Sequence, residues 1–99
     1  MGTKGSVKER SIVKINVPRQ YAVVMHNDDF TPMDFVVNIL MEVFHKEYDD
    51  AVNIMMVVHK GDRAVVGTYS YDIARSKAEK AMVLAREEGY PFRITVEES

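Results

Sequence analysis

Four adjacent polar residues open the sequence stretch HNDDFTPMDF, residues 26–35. They are His26, Asn27, Asp28 and Asp29, and they supply an imidazole, an amide and two carboxylates. All of these groups accept hydrogen bonds, and the carboxylates also attract cations. The stretch therefore predicts either a loop whose side chains satisfy its own backbone amides or a site for a cationic ligand.

The simpler interpretation of these residues is structural, because Asn and Asp ahead of a helix commonly accept hydrogen bonds from nearby backbone amides. One carboxylate is enough for that task. We assign it to Asp29, which lies two residues before Thr31. Asn27 and Asp28 are then the candidates for ligand binding.

A second histidine, His59, follows a stripe of apolar residues at helical spacing that includes Met55. A histidine at a helix C-terminus often has only a structural role, because the helix dipole favours its charge there. Met25, Met33 and Met55 all fall near the acceptor cluster, and methionine adapts to several apolar shapes. The alternative interpretation is thus a ring nitrogen at the mouth of an apolar pocket.

Such a pocket with acceptors at its mouth fits the N-terminus of a peptide. The α-amine, with a pKa of about 7.7 to 8.0, is mostly an ammonium group at neutral pH and offers three donors beside the first side chain. Asn27, Asp28 and His59 would accept those donors. The competing enzyme hypothesis is a metal-dependent hydrolase that uses Asp28, Asp29 and His59, with His26 as a further ligand.

The elements that position these residues follow from apolar patterns and helix breakers. The segment YAVVMH, residues 21–26, predicts a buried strand. Thr31 as the N-cap and Pro32 as the first helical residue predict a helix that runs to about Lys46. The later elements are a helix over about residues 49–60, a strand in RAVVGTYSY, a helix over about residues 71–88 and a strand in FRITV.

Glycines mark several boundaries in this pattern. Gly61 and Gly89 are predicted to end the second and third helices, and Gly67 predicts a bulge or a close backbone approach. The order β-α-α-β-α-β predicts a two-layer α+β fold with three helices on one face of a three-stranded sheet. The first helix carries more apolar residues than one face can bury, which leaves Met33 and Val36 available to line a groove.

Length and composition predict one domain, since the chain has 99 residues, 46% of them apolar. The chain has no cysteine, which excludes disulfides and thiol catalysis. We expect residues 1–19 to form a flexible N-terminal tail and residues 20–99 to form the domain. No apolar run approaches the ~20 residues that span a bilayer, and no secretory signal is present, so we expect a cytoplasmic protein. The net charge of −2 divides into +4 for residues 1–20 and −6 for the rest, which argues against a nucleic-acid partner.

The segments HNDDFTPMDFV, MMVVHKG and YPF together resemble the ClpS family, bacterial adaptors that deliver N-end-rule substrates to a Clp-type AAA+ unfoldase. The resemblance covers about residues 20–97. It implies an adaptor with no catalytic activity and no cofactor, which binds the free α-amine and the bulky first residue of N-degron proteins. Leu, Phe, Tyr and Trp are the first residues that it implies.

The resemblance also assigns roles to individual residues. It implies that Asn27, Asp28 and His59 hold the α-amine, and that Met33 matches a gate residue that rejects β-branched first residues. The implied hydrophobic pocket consists of Met25, Thr31, Met33, Val36, Met55, Val58 and Phe92.

A second implied contact is with the N-terminal domain of the unfoldase, ClpA or ClpC, through Asp72 and Lys77, while the tail serves delivery. The chain has Asp72 where Glu is commoner in the family, which shortens its reach. It also has Phe92 where Leu is common, which predicts a shallower pocket, and Phe30 and His26 in place of a frequent Tyr and an apolar residue. A third hypothesis is an assembly domain without a small ligand, because the same arrangement resembles the C-terminal domain of a ribosomal stalk protein.

Overall fold

The computed structural model describes residues 18–99. They form three helices on one face of a three-stranded sheet, in the predicted order β-α-α-β-α-β. Nearly all of the predicted tail, residues 1–19, lies outside the described residues. The strands are β1 (Tyr21–His26), β2 (Arg63–Tyr69) and β3 (Arg93–Glu98), and the helices are α1 (Met33–Glu42), α2 (Tyr48–Gly61) and α3 (Tyr71–Glu87).

Strand β1 is the centre of the sheet and pairs in antiparallel fashion with both β2 and β3. Alternate side chains of a strand point to opposite faces. Val23 and Met25 therefore enter the core beneath the helices. Val24 points to the open face, where it is still buried because Val65 and Thr95 flank it on the neighbouring strands.

The pairing of β1 with β2 contains the irregularity that Gly67 predicted. Val23 pairs with Gly67 and the next residue, Val24, pairs with Val65, so Val66 has no partner across the strand. A Cβ atom on Gly67 would lie 2.8 Å from the hydroxyl oxygen of Tyr69. A larger residue at this position therefore requires the Tyr69 ring to move, which explains the glycine.

Helix α1 ends at Glu42, earlier than the prediction of about Lys46. The chain turns after Glu42 so that Val43 and Phe44 are buried, at 3% and 4% exposure. His45 then takes a left-handed conformation with φ of 58°. The helix therefore ends before the residue that its apolar periodicity predicted, because Val43 and Phe44 are packed into the core.

The other two helices end in different ways. Gly61 is the last residue of α2, as predicted, but the left-handed conformation belongs to the next residue, Asp62, with φ of 78°. Asp is one of the few residues besides glycine that adopt this conformation readily. Gly89 does end α3 as predicted: its φ is 80°, and its amide and that of Tyr90 donate to the last carbonyls of the helix.

The core is entirely apolar within residues 18–99, where no polar or charged side chain is fully buried. Helix α3 presents a seam of buried alanines that lets it lie close to the sheet, formed by Ala74, Ala78, Ala81 and Ala85. The polar groups that could act on a ligand are therefore all at the surface or at its edge. In this part of the chain no helix is both long enough and apolar enough to cross a membrane.

Candidate functional site

A cavity of about 190 Å³ lies where β1 ends, between the following loop, the start of α1 and the C-terminal half of α2. Engineered apolar cavities of ~150 Å³ hold a benzene molecule, so this space is suited to a side chain the size of an aromatic ring. Its lining residues are Asn27, Asp28, Asp29, Thr31, Met33, Val36, Met55, Val58 and His59.

One backbone hydrogen bond brings the two polar parts of this site together. The amide of Asn27 donates to the carbonyl of Asp62, at 2.9 Å, and Asp62 itself caps α2 by donating to the carbonyl of Val58, also at 2.9 Å. The loop after β1 is therefore tied to the end of α2. As a result Asn27 and His59, far apart in sequence, line the same cavity.

The carboxylate of Asp28 holds the loop in its conformation. Its Oδ1 accepts hydrogen bonds from the backbone amides of Phe30 and Thr31, at 2.8 and 2.7 Å. Its Oδ2 accepts one from the hydroxyl of Thr31, at 2.7 Å. The prediction that Asp29 satisfies the loop amides was therefore wrong, because Asp28 performs that task.

These contacts also affect the start of α1 and the ionisation of Asp28. With its hydroxyl directed to Asp28, Thr31 makes no N-cap bond, and the helix begins one residue later than predicted, at Met33 after Pro32. Partial burial alone would raise the pKa of Asp28. The hydrogen bonds from the Thr31 side chain, the Thr31 amide and the Phe30 amide outweigh that effect, and the pKa lies below its ordinary value of 3.8.

Asp29 differs from its neighbour in both exposure and contacts. Its side chain is exposed and lines the cavity. Within residues 18–99 its carboxylate takes part in no hydrogen bond or ion pair, whereas both oxygens of Asp28 are engaged. Sequence reasoning assigned Asp29 to the loop or, in the enzyme hypothesis, to a metal, and not to the α-amine, since two adjacent aspartates look alike until the loop conformation is known.

The apolar part of the cavity is made by α1 and α2. Val36, Met55 and Val58 are buried at 8%, 8% and 4% exposure, so they form its inner walls. Met33, in the first turn of α1, is 44% exposed and lies at the opening. Its long side chain is therefore free to change the width of the entrance.

Two residues assigned to the pocket, Met25 and Phe92, are not among those that line it. Met25 is fully buried beneath the helices, at 0% exposure. The ring of Phe92 packs edge-on against Phe35, with 6.1 Å between the ring centroids. Both residues therefore belong to the hydrophobic core and not to the lining of the cavity.

His26 is separated from the other polar residues of its stretch. It ends β1 on the open face of the sheet, where its Nε2 is 2.8 Å from the Thr95 hydroxyl. Partial burial and the nearby guanidinium groups of Arg93 and Arg63 lower its pKa. His26 is therefore not brought together with Asp28, Asp29 and His59, as the metal-site hypothesis required. No cluster of three or more His, Asp or Glu side chains suited to a metal ion occurs within residues 18–99.

The two residues assigned to the unfoldase contact, Asp72 and Lys77, lie on α3. Asp72 is exposed in the first turn. The ammonium group of Lys77 instead donates to the carbonyl of Val43 at 3.0 Å, and it lies 5.6 Å from the ring centroid of Tyr69. Lys77 thus joins α3 to the chain just after α1, a contact that nothing in the sequence pattern indicated.

Comparisons with known proteins agree in pointing to one family. A family model described as "ATP-dependent Clp protease adaptor protein ClpS" matches residues 16–95. The ATP-dependent Clp protease adapter protein ClpS of Paraburkholderia xenovorans is 44% identical over 95 residues, which are 96% of this chain and 91% of the relative. The protein of the same name from Acetivibrio thermocellus is 45% identical over 97 residues, with 98% of both chains covered.

A solved structure is similar in fold as well as in sequence. It is described as the structure of Agrobacterium tumefaciens ClpS2 bound to L-phenylalaninamide. The TM-score is 0.82 at 38% sequence identity, and the match covers 84% of this chain and 100% of the other.

Proposed function

The chain belongs to the ClpS family of adaptors for ATP-dependent Clp proteases, and from this premise we propose that it binds the free α-amine and the bulky first residue of N-degron proteins. The family consists of adaptors, so the chain is not an enzyme, and its partner is a Clp protease with its AAA+ chaperone. The first residues that we propose it accepts are Leu, Phe, Tyr and Trp.

The observation that carries this proposal is the union of an aromatic-sized apolar cavity with polar acceptors at its mouth. The N-terminal residue of a peptide carries its ammonium group and its side chain on the same carbon atom. A site with acceptors next to an apolar cavity can therefore bind both groups together. The relative's ligand, L-phenylalaninamide, has the same combination, with an amide in place of the rest of a peptide.

We assign the α-amine to Asn27, Asp28 and His59 at the mouth of the cavity, through an amide oxygen, a carboxylate and a ring nitrogen. The loop occupies three acceptor positions of the Asp28 carboxylate, which leaves a further position for the amine. The exposed carboxylate of the adjacent Asp29 supplies an additional acceptor and a negative charge.

The first side chain enters the apolar part of the cavity, against Val36, Met55 and Val58. Met33 acts as the gate at the entrance and excludes β-branched residues, which widen directly at Cβ. Burial of a Leu or Phe side chain contributes about 1.5 to 3 kcal/mol, and each charge-assisted hydrogen bond a similar amount. After the cost of ordering a peptide end, an affinity near the micromolar range remains, which permits release.

Delivery is a further part of the proposal. Residues 20–99 act as the binding domain, and residues 1–19 act in transfer of the substrate. The N-terminal domain of ClpA or ClpC contacts α3 at Asp72, and Lys77 contributes by holding that helix against the chain after α1. A chain without cysteine suits the reducing cytoplasm, where we place this activity.

A peptide that begins with Phe, compared with its N-acetylated form, tests the proposal. Acetylation turns a cation with three donors into a neutral amide, so binding measured by fluorescence anisotropy should be lost. A peptide that begins with Ala but has a free amine is the control for the side chain, and it should also bind poorly. Equal affinity for the free and acetylated Phe peptides would refute the proposal.

A further inference from the structure

A second depression, a groove between α1 and α2, adjoins the cavity. Its volume is about 290 Å³, and it is lined by Met33, Asp34, Val37, Asn38, Tyr48, Val52 and Met55. It shares Met33 and Met55 with the cavity but none of the acceptors at the cavity mouth. The groove therefore lies on the other side of Met33 and Met55 from the acceptors that are proposed to bind the amine.

The distance between neighbouring side chains decides which residue of a peptide could reach this groove. In an extended chain, side chains alternate in direction, so the first and third residues face the same way and stand about 6.6 Å apart. The cavity and the groove share Met33 and Met55 in their linings, so they are adjacent. This adjacency makes the third side chain, and not the second, the candidate for the groove when the first side chain fills the cavity.

The lining of the groove favours a particular kind of side chain. Val37 is buried and Val52 half-buried, so they form an apolar floor, and the ring of Tyr48 is exposed at one side. Asp34 is exposed on the α1 wall, where its Oδ1 accepts a hydrogen bond from the Phe35 amide at 2.9 Å. Within residues 18–99 its second oxygen has no partner, so the carboxylate can face a cation.

We propose that this groove binds the third residue of the substrate's N-terminal segment and favours Arg or Lys there. The aliphatic stem of such a side chain would cover the apolar floor while its charged end stays near the surface. The carboxylate of Asp34 would attract the charge, and the face of Tyr48 would offer a cation–π contact. The inference rests on the proposed function, because it needs the first residue to be anchored in the cavity.

The experiment uses a peptide series Phe-Ala-Xaa, in which Xaa is Arg, norleucine, Ala or Glu, with a fluorescent label at the C-terminal end. Norleucine has the apolar stem without the charge. We expect Arg to bind about tenfold more tightly than Ala and about threefold more tightly than norleucine, with Glu weakest. Asp34→Asn should reduce the advantage of Arg over norleucine, because Tyr48 alone then faces the charge, and it should leave the affinity for the Ala peptide unchanged.

Glu42→Gln is the matched control variant, because Glu42 is exposed on the same helix but lies outside the groove, and its loss changes the net charge equally. It should keep the full preference for Arg. Equal affinities across the series, or equal loss of the preference in both variants, would overturn the inference while the binding of Phe peptides continued. Failure of every Phe peptide to bind would instead count against the proposed function.

Discussion

Thr31 holds the carboxylate of Asp28 at both oxygens, with its amide 2.7 Å from Oδ1 and its hydroxyl 2.7 Å from Oδ2. The amide of Phe30 adds a third bond at 2.8 Å. The adjacent Asp29 has no comparable partner within residues 18–99 and lines the cavity. Two neighbouring residues of the same type should therefore respond to substitution in different ways.

Asp28→Ala should lower the free energy of unfolding by about 1 to 3 kcal/mol, because two loop amides and a hydroxyl lose their acceptor. Asp29→Asn should change stability by less than about 0.5 kcal/mol, as expected for an exposed residue. It should weaken binding of a Phe peptide by at least about tenfold, since a charge-assisted bond is lost. Urea unfolding and anisotropy measure the two effects, and unimpaired binding in Asp29→Asn would reject its proposed role.

The lowered pKa of Asp28 predicts how stability depends on pH. A carboxyl whose pKa is lower in the folded state than in the unfolded state stabilises the fold fully above its ordinary value of 3.8. That contribution is lost as pH falls through the lowered folded value. The difference in unfolding free energy between the wild type and Asp28→Asn should be constant above about pH 5 and shrink below about pH 4. Urea titrations measure this difference. If it stayed constant down to about pH 2, the stabilisation would not come from the ionised carboxylate of Asp28.

His59→Ala should weaken binding of a Phe peptide by at least about tenfold, because the α-amine loses one of its proposed acceptors. His59→Gln keeps a side-chain acceptor at the same position and should lose less affinity. Fluorescence anisotropy measures both affinities. A His59→Ala protein that binds the Phe peptide as tightly as the wild type would exclude this role.

Substitutions of Lys77 and Asp72 should have different effects, the first on stability and the second on binding to the unfoldase. Lys77→Met leaves the carbonyl of Val43 without its donor and should lower the free energy of unfolding by about 1 kcal/mol. Asp72→Asn removes an exposed charge and should leave stability unchanged within about 0.5 kcal/mol. If α3 is the contact surface, Asp72→Asn should weaken binding to the N-terminal domain of the unfoldase. A Lys77→Met protein as stable as the wild type would refute the structural contact.

Much of the fold was predictable because the determining signals are local. Apolar periodicity identified all of the helices and strands in order, Gly67 indicated the bulge, and Gly89 indicated the end of α3. The end of α2 at Gly61 was also predictable, but the left-handed residue there is Asp62 and not the glycine. That turn is fixed by the hydrogen bond from Asn27 to the Asp62 carbonyl, a contact between distant parts of the chain that no local pattern contains.

The candidate site was predictable in its residue types and less so in how the roles are divided. Alternation along β1 placed Met25 on the buried face, but the depth of the cavity depends on how α1 and α2 pack above it. Phe92 likewise is buried in the core, where its ring packs against Phe35. Asp28 stabilises the loop because the amides of Phe30 and Thr31 point towards its carboxylate. The direction of these amides is known only once the loop is folded.

The segment just before β1 and the last residues of the chain lie side by side, at the opposite end of β1 from the cavity. The amide and the hydroxyl of Ser99 both donate to the carbonyl of Gln20, at 3.2 Å, and Arg19 forms an ion pair with Glu98. The six residues of β1 span about 20 Å between these ends and Asn27. An affinity handle or a sensor surface attached after Ser99 would therefore leave the cavity mouth open to solution. A circular permutant of residues 19–99, in which a short linker joins Ser99 to Arg19, should keep its binding site unaltered.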